Sequence, residues 1–535
     1  MVDVTIKSEY DKVSMREDDL IVQVSLTGND EVEDNKHRAP VSITIVVDTS
    51  SSMQGQLIEL VQKACRFVLK NCRPDDMIGL IQYDSNAKQV FPLTKTSDFF
   101  VDYACMQVDR MDVSGMTNMH DGIMKGLKQQ KTKKYREMKV DPDSMQWKRM
   151  AEMQENRALF PKRQLGSALS DARFGRFRRQ RVFEHEHFPS EEFDIPDECV
   201  QSVFLFTDGM ANTGPVREEL VSKVKTMLQQ CGNVKMSTFG FGNNHDDKVL
   251  VDLAEACDGK YYYMKTEDEI PAAFADAVGG LQSLAAESIS IEIIPHNNAA
   301  VSKVFTDGTS MTLKSHNGTC AVSCGSVVCG ASKDLLFRMT IPQRADPIPD
   351  DGPFHFADVK VSGLNVQSTA SFNFTKNITV DRVQEFDPCQ ARVRNLDVAY
   401  QVVRLDLSCH LETAQEFVEM GDYDGARNYL KNFNVTIASL FGFVQQAGRQ
   451  DLCNMLLFLK EKLNDAIMDC DVGHGRTRDG NVKSMKMRNR AFKMQSNDCR
   501  DEINDIEGED DGVSMAKCGS KRQRDFRTQS KNGNW

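Results

Sequence analysis

Val41-Ser-Ile-Thr-Ile-Val-Val47 is followed at once by Asp48-Thr-Ser-Ser-Ser52-Met-Gln-Gly55. A short run of β-branched, apolar residues bounded by turn formers is a buried strand. Such a strand, apolar on both faces, belongs at the centre of a parallel sheet. A helix is predicted directly after it, over residues 56–72. Working outward, further strands are predicted at 77–83, 89–93, 202–206, 235–241 and 261–264. Helices are predicted at 97–106, 118–127, 217–230, 246–257 and 267–286. Strands alternating with helices predict an α/β fold with a doubly wound parallel sheet and right-handed crossovers. In such sheets ligands bind beyond the carboxyl ends of the strands. The loop after Val47 and the loop Thr207-Asp208-Gly209 both lie at that edge.

The loop after Val47 carries Asp48, Ser50 and Ser52 at alternate positions. On an extended turn alternate side chains point the same way, so one carboxylate and two hydroxyls converge. This hard, all-oxygen donor set suits Mg²⁺ or Mn²⁺ and not zinc. Alone, such spacing is common in cap and turn residues. Its position between a buried strand and a helix gives it weight. Gly115-Met-Thr117-Asn118, ahead of another predicted helix, offers a third hydroxyl. Asp208, at the end of the strand 202–206, offers a second carboxylate on the same edge.

The order and spacing of these three pieces resemble the von Willebrand factor A domain and its metal-ion-dependent adhesion site. The resemblance extends over about residues 40–286, through Phe239-Gly-Phe-Gly242 and Gly259-Lys-Tyr-Tyr-Tyr-Met264. It implies a Rossmann-like domain in which Ser50, Ser52 and Thr117 touch the metal directly and Asp48 and Asp208 act largely through water. It also implies a bound Mg²⁺, with Mn²⁺ or Ca²⁺ as alternatives. A partner's Asp or Glu carboxylate would complete the coordination, making this metal-dependent protein binding and not catalysis. The overall layout is similar to intracellular eukaryotic A-domain proteins, among them plant RING-type ubiquitin ligases and Hint-associated proteins. It departs from the RING relatives in having no cysteine before Cys65. A role as substrate adaptor in ubiquitin transfer is the alternative reading.

Around this domain, residues 39–286, the pattern changes. Residues 288–294, 310–314, 335–341, 357–361 and 370–374 alternate with period two, as short strands of an antiparallel, sandwich-like domain over 287–385. Residues 1–38 alternate in the same way and are expected to pair with it. Residues 386–470 show helical spacing, as in Leu452, Leu456, Leu459 and Leu463, and predict three or four helices. From 471 to 535 apolar residues thin out and a disordered tail is expected. Residues 128–198 interrupt the α/β pattern as a charged insertion, expected to be largely flexible and to project away from the metal edge.

The chain has 535 residues and a formal net charge of −12, which argues against general nucleic-acid binding. The charge is uneven, because residues 128–181 hold 16 basic and 6 acidic side chains. Arg173, Arg176, Arg178, Arg179 and Arg181, interleaved with Phe174 and Phe177, form a patch for an acidic partner or nucleic acid. A solvated tether is the plainer reading. No apolar run reaches the roughly 18–20 residues of a membrane span, and the first twenty residues hold no apolar signal core. Fifteen scattered cysteines fit reduced thiols. The expected setting is therefore the cytoplasm, or the nucleus. The spacing of His316, Cys320, Cys324 and Cys329 favours buried strand cysteines over a zinc knuckle. At His245-Asp246, helix capping by Asp246 is favoured over catalysis. Nucleophile-elbow, Walker and dinucleotide motifs do not occur, so no catalytic residue is assigned.

Overall fold

The computed structural model describes residues 2–29, 38–138, 190–242, 245–264, 269–305, 313–316, 318–343, 353–366, 368, 370–383 and 394–470. The chain opens with β1 (Val2–Ser8), β2 (Lys12–Ser14) and β3 (Asp18–Gly28). The α/β region follows, starting with β4 (Val41–Asp48), α1 (Gln56–Asn71), β5 (Met77–Tyr83), β6 (Ala87–Lys95), α2 (Asp98–Val108) and α3 (Met119–Lys131). It continues with β7 (Lys134–Met138), β8 (Ser190–Asp194), β9 (Val200–Thr207), α4 (Arg217–Cys231), β10 (Lys235–Phe241), α5 (Asp247–Ala256), β11 (Tyr261–Met264) and α6 (Glu269–Gln282). Then come β12 (Leu284–Pro295), β13 (Ala300–Phe305), β14 (Leu313–His316), β15 (Thr319–Val328), β16 (Ser332–Ile341), β17 (Phe354–Asn365) and β18 (Ser371–Val383). Three helices close the described chain: α7 (Leu396–Glu419), α8 (Tyr423–Gln446) and α9 (Gln450–Asp469).

The α/β region is an eight-stranded sheet in the order β11-β10-β9-β4-β5-β6-β7-β8. β4 lies between β5 and β9, parallel to both, and every residue of β4 and β9 is buried. Helices cover both faces, which is why these strands are apolar on both sides. Ile43, Ile45 and Val47 face α1, α2 and α6, while Val46 faces α3, α4 and α5. The core beside β9 and β10 is aromatic. Phe239 stacks on Phe274 at 4.5 Å and on Tyr262 at 4.9 Å, and Phe206 lies 5.8 Å from Phe274. Fully burying one such side chain contributes about 1.5–3 kcal/mol. The sheet is not wholly parallel, because β6 runs antiparallel to β5.

Two stretches expected to be flexible are strands. β7 and β8 pair antiparallel, Lys134 opposite Asp194 through Met138 opposite Ser190, and β7 extends the sheet beside β6 at Thr94–Arg136. Opposite charges hold the pair, with Lys134 Nζ 2.6 Å from Asp194, and Tyr135 stacks on Phe193 at 5.7 Å. β7 runs away from the edge that carries Asp48. The chain therefore leaves the described residues at Met138, and re-enters them at Ser190, on the side opposite Asp48.

A second core lies between a four-stranded sheet, β1-β3-β16-β13, and a six-stranded sheet, β14-β15-β12-β17-β18-β2. β3 pairs with β16 along ten positions, from Thr27–Ser332 to Asp18–Ile341, so strands from both sides of the α/β region share one sheet. α7, α8 and α9 form a helical unit around Leu407, Leu430, Leu456 and Leu463. α7 also rests on β3 and β16 through Val398 and Leu405 against Ile21 and Leu336. The predicted helix 267–286 ends earlier, at Gln282, because Leu284 to Ala286 pair with β15 and β17. Pairing in a sheet overrides their helical propensity.

Candidate metal centre

Three loops meet at the carboxyl edge of the parallel strands. The first leaves β4 at Asp48, makes a 3₁₀ turn over Ser51–Met53 and enters α1 through Gly55, whose φ of 98° favours glycine. The second joins α2 to α3 through Gly115, also at positive φ (73°), then Thr117 and the capping residue Asn118. The third follows β9 through Asp208 and Gly209. Backbone and side-chain hydrogen bonds stitch them together. Ser114 N donates to Thr49 O at 2.8 Å, and Ser51 Oγ donates to Gly115 O at 3.0 Å. Asn212 clamps the second loop to the third: Thr117 N donates to Asn212 Oδ1 at 2.8 Å, and Asn212 N to Thr117 O at 3.1 Å.

The side chains converge accordingly. Ser50 and Ser52 hydroxyls lie 3.1 Å apart, and Ser52 Oγ donates to Asp208 Oδ1 at 2.8 Å. A Cβ placed on Gly209 would sit 3.8 Å from Ser52 Oγ and 3.9 Å from Thr117 Oγ1, so both hydroxyls border the same spot. Asp48 accepts from Ser50 N at 2.9 Å and, on its other oxygen, from Thr207 Oγ1 at 2.7 Å. Ser50, Ser52, Thr117 and Asp208 thus gather at one place, with Asp48 behind them. Thr207 and Asn212 hold the set in position and were not singled out from the sequence. Thr207 reaches Asp48 because β4 and β9 pair in register, Val47 opposite Phe206.

Asp48 is fully buried at 0% exposure, with Ser50 at 2% and Thr117 at 4%. Burial pushes the Asp48 carboxyl up to about 6, with repulsion from Asp208 adding to it and hydrogen bonds from Ser50 and Thr207 opposing it. Burial also raises the Asp208 carboxyl. Among the described residues neither carboxylate has a lysine or arginine ion-pair partner. Buried carboxylates are ordinarily paired or coordinate a metal. The donors present, neutral hydroxyls and carboxylates with no sulfur or imidazole, fit a hard divalent cation.

Other sites singled out from the sequence lie elsewhere. Asp246 caps α5, accepting from Val249 N at 3.2 Å, and His245 is buried with its Nε2 2.7 Å from the Tyr261 hydroxyl. Cys320 and Cys324 are buried on β15 inside the second core, where burial pushes the Cys324 thiol up to about 11. Arg173, Arg176, Arg178, Arg179 and Arg181 lie outside the described residues, as does the tail from 471. No helix among the described residues is long and apolar enough to cross a membrane.

A family model for the von Willebrand factor type A domain matches residues 43–143, and a second model for the same domain matches residues 185–263. Human inter-alpha-trypsin inhibitor heavy chain H3 is 23% identical over 217 residues, covering 40% of this chain and 18% of that protein. The alignment thus spans less than a fifth of that relative's own length. An uncharacterized protein of Synechocystis is 18% identical over 407 residues, covering 75% of this chain and 79% of its own. Among solved structures, a von Willebrand factor type A protein from Catenulispora acidiphila covers 85% of this chain and 89% of its own, with a TM-score of 0.53 at 13% identity, which shows a shared fold. Domains of this family are typically adhesion or interaction modules. The eight-stranded sheet, its two helical layers and these matches identify the α/β region of this chain as a von Willebrand factor type A domain.

Proposed function

We propose that this A domain is a metal-dependent protein-binding module of an intracellular scaffold. Ser50, Ser52 and Thr117 would hold a divalent cation directly, and Asp48 and Asp208 would hold it through water. Mg²⁺ fits best, with Mn²⁺ or Ca²⁺ as alternatives, because the donors are hard oxygens and Mg²⁺ keeps exchangeable waters. The bound cation supplies an electrophilic position for a partner's Asp or Glu carboxylate. The chain's own groups shape that position: Thr207 fixes the Asp48 carboxylate, Asn212 fixes the Thr117 loop, and Ser52 ties to Asp208. The observation that carries the reading is Asp48, fully buried and without a cationic side-chain partner among the described residues, behind a converging set of hydroxyls.

Affinity capture on the immobilised full chain tests it. Capture of an acidic partner is expected in Mg²⁺, with loss in EDTA and loss again in the Asp48→Ala/Ser50→Ala double variant that keeps its circular dichroism. Capture unchanged by both treatments would refute the proposal.

A further inference from the structure

Away from the A domain, two imidazoles and a carboxylate meet on the six-stranded sheet. His296 follows β12, and His355 and Asp358 lie on β17. In a regular strand residues three apart face opposite sides. Here a bulge changes that. His355 pairs with Thr379 and Ala357 pairs with Ile378, leaving Phe356 as the extra residue. Phe356 and Ala357 are both fully buried, and His355 and Asp358, which flank them, both face outward. The third member is anchored to the same bulge. His296 N donates to Phe356 O at 2.8 Å, and Asn297 Nδ2 donates to His355 O at 2.8 Å. Asn297 and Asn298 both adopt left-handed backbone, φ 52° and 61°, and turn the chain back after His296.

The resulting contacts are tight. Asp358 Oδ2 lies 2.8 Å from His296 Nε2, and Asp358 Oδ1 lies 2.8 Å from His355 Nε2. The ring centroids are 4.8 Å apart, and the three donor atoms all lie within 4.8 Å of one another. The side chains remain open to solvent, at 37%, 34% and 22% exposure for His296, His355 and Asp358.

We propose that His296, His355 and Asp358 form a second cation site, separate from the A-domain centre and of different chemistry. Two imidazoles with one carboxylate select a borderline transition-metal ion such as Zn²⁺ over Mg²⁺. A tetrahedral ion about 2.0–2.1 Å from each ligand spaces its ligands about 3.3 Å apart, so the side chains need only small rotations. Three protein ligands leave a coordination position open, as in sites that take water or an outside ligand. One hydrogen bond would suffice to tie the β12–β13 turn to β17. The bulge, by contrast, brings a third donor to the same point.

Titration of the full chain with Co²⁺ in excess Mg²⁺ tests this, read by visible absorption. The wild type is expected to take up one equivalent with a ligand-field band and no thiolate charge-transfer band. His296→Ala and His355→Ala should each weaken it by at least about 100-fold, since losing even a supporting partner of a ligand costs about 10–100-fold. Asp358→Asn, which keeps the side-chain shape, guards against a folding artefact and should also weaken it. Asp48→Ala/Ser50→Ala should leave it intact. A wild type with no band, a thiolate charge-transfer band, or a band that survives both histidine substitutions would overturn the proposal.

Discussion

At the carboxyl edge of the parallel strands Asp48 is buried and surrounded by hydroxyls, whereas on β17 the partly exposed Asp358 is bracketed by two imidazoles. The two carboxylates respond in opposite directions. Burial drives Asp48 up to about 6, with only hydroxyl and backbone donors to oppose it. Burial also pulls Asp358 upward, but hydrogen bonds from His296 and His355 outweigh it and hold its carboxyl below the ordinary value. The first arrangement lacks positive charge, and the second already has donors that offset its own. The contrast extends to how each is built. The A-domain site needs residues from positions 48 to 208 brought together by a whole sheet, while the second needs one turn and one bulged strand.

The comparison breaks most visibly if the aromatic core beneath the first site is removed. Phe206 precedes Thr207 and packs against Phe239 and Phe274. Phe206→Ala is expected to lower the unfolding free energy of the A domain by about 3–5 kcal/mol, read by urea denaturation. None of these three rings belongs to the second core around β17, although their own core reaches Leu284 and Val328, so the Co²⁺ band should persist at low urea. A loss below about 1 kcal/mol would contradict the ring packing as a main support of the domain.

A smaller change sharpens the contrast. Thr207→Val removes the 2.7 Å hydrogen bond to Asp48 and keeps the shape of the side chain. Mg²⁺ affinity, measured by calorimetry, should fall by about 10–100-fold, with Co²⁺ uptake unchanged. Equal Mg²⁺ affinity in the variant would remove Thr207 from the account.

The smallest effect concerns a third imidazole. His245 is buried at 2% exposure, hydrogen-bonded to Tyr261 at 2.7 Å, and burial lowers its pKa. Because the folded state holds it neutral, the unfolded chain takes up the proton first, near the ordinary value of about 6.5. Its stabilising effect is complete above that pH and is lost as pH falls below it. The wild type should therefore lose more stability than His245→Gln between neutral and mildly acidic pH, in paired urea titrations. Parallel losses would contradict a buried, neutral His245.

Asp48, Ser50, Ser52 and Asp208 were legible as neighbours because they directly follow apolar strands of one sheet, whereas Thr117 lies between two helices. Val41 to Val47 read as a buried strand, and all of β4 is buried. Thr207 was not legible in its role, because only the register of β4 against β9 places it beside Asp48. β7 and β8 were missed because they are charged. Their pairing rests on Lys134–Asp194 and Tyr135–Phe193, contacts across more than fifty residues that no local pattern reveals. The imidazole site was hidden for a sharper reason. Regular alternation sends His355 and Asp358 to opposite faces, and the bulge at Phe356 that reunites them leaves no mark in the sequence.

The most direct test is a calorimetric Mg²⁺ titration of the full chain, its Asp48→Ala/Ser50→Ala variant and its His296→Ala/His355→Ala variant. The account predicts one saturable equivalent in the wild type and the histidine variant, and none in the Asp48/Ser50 variant. Equal heats in the Asp48/Ser50 variant, or loss of the heat in the histidine variant, would contradict it.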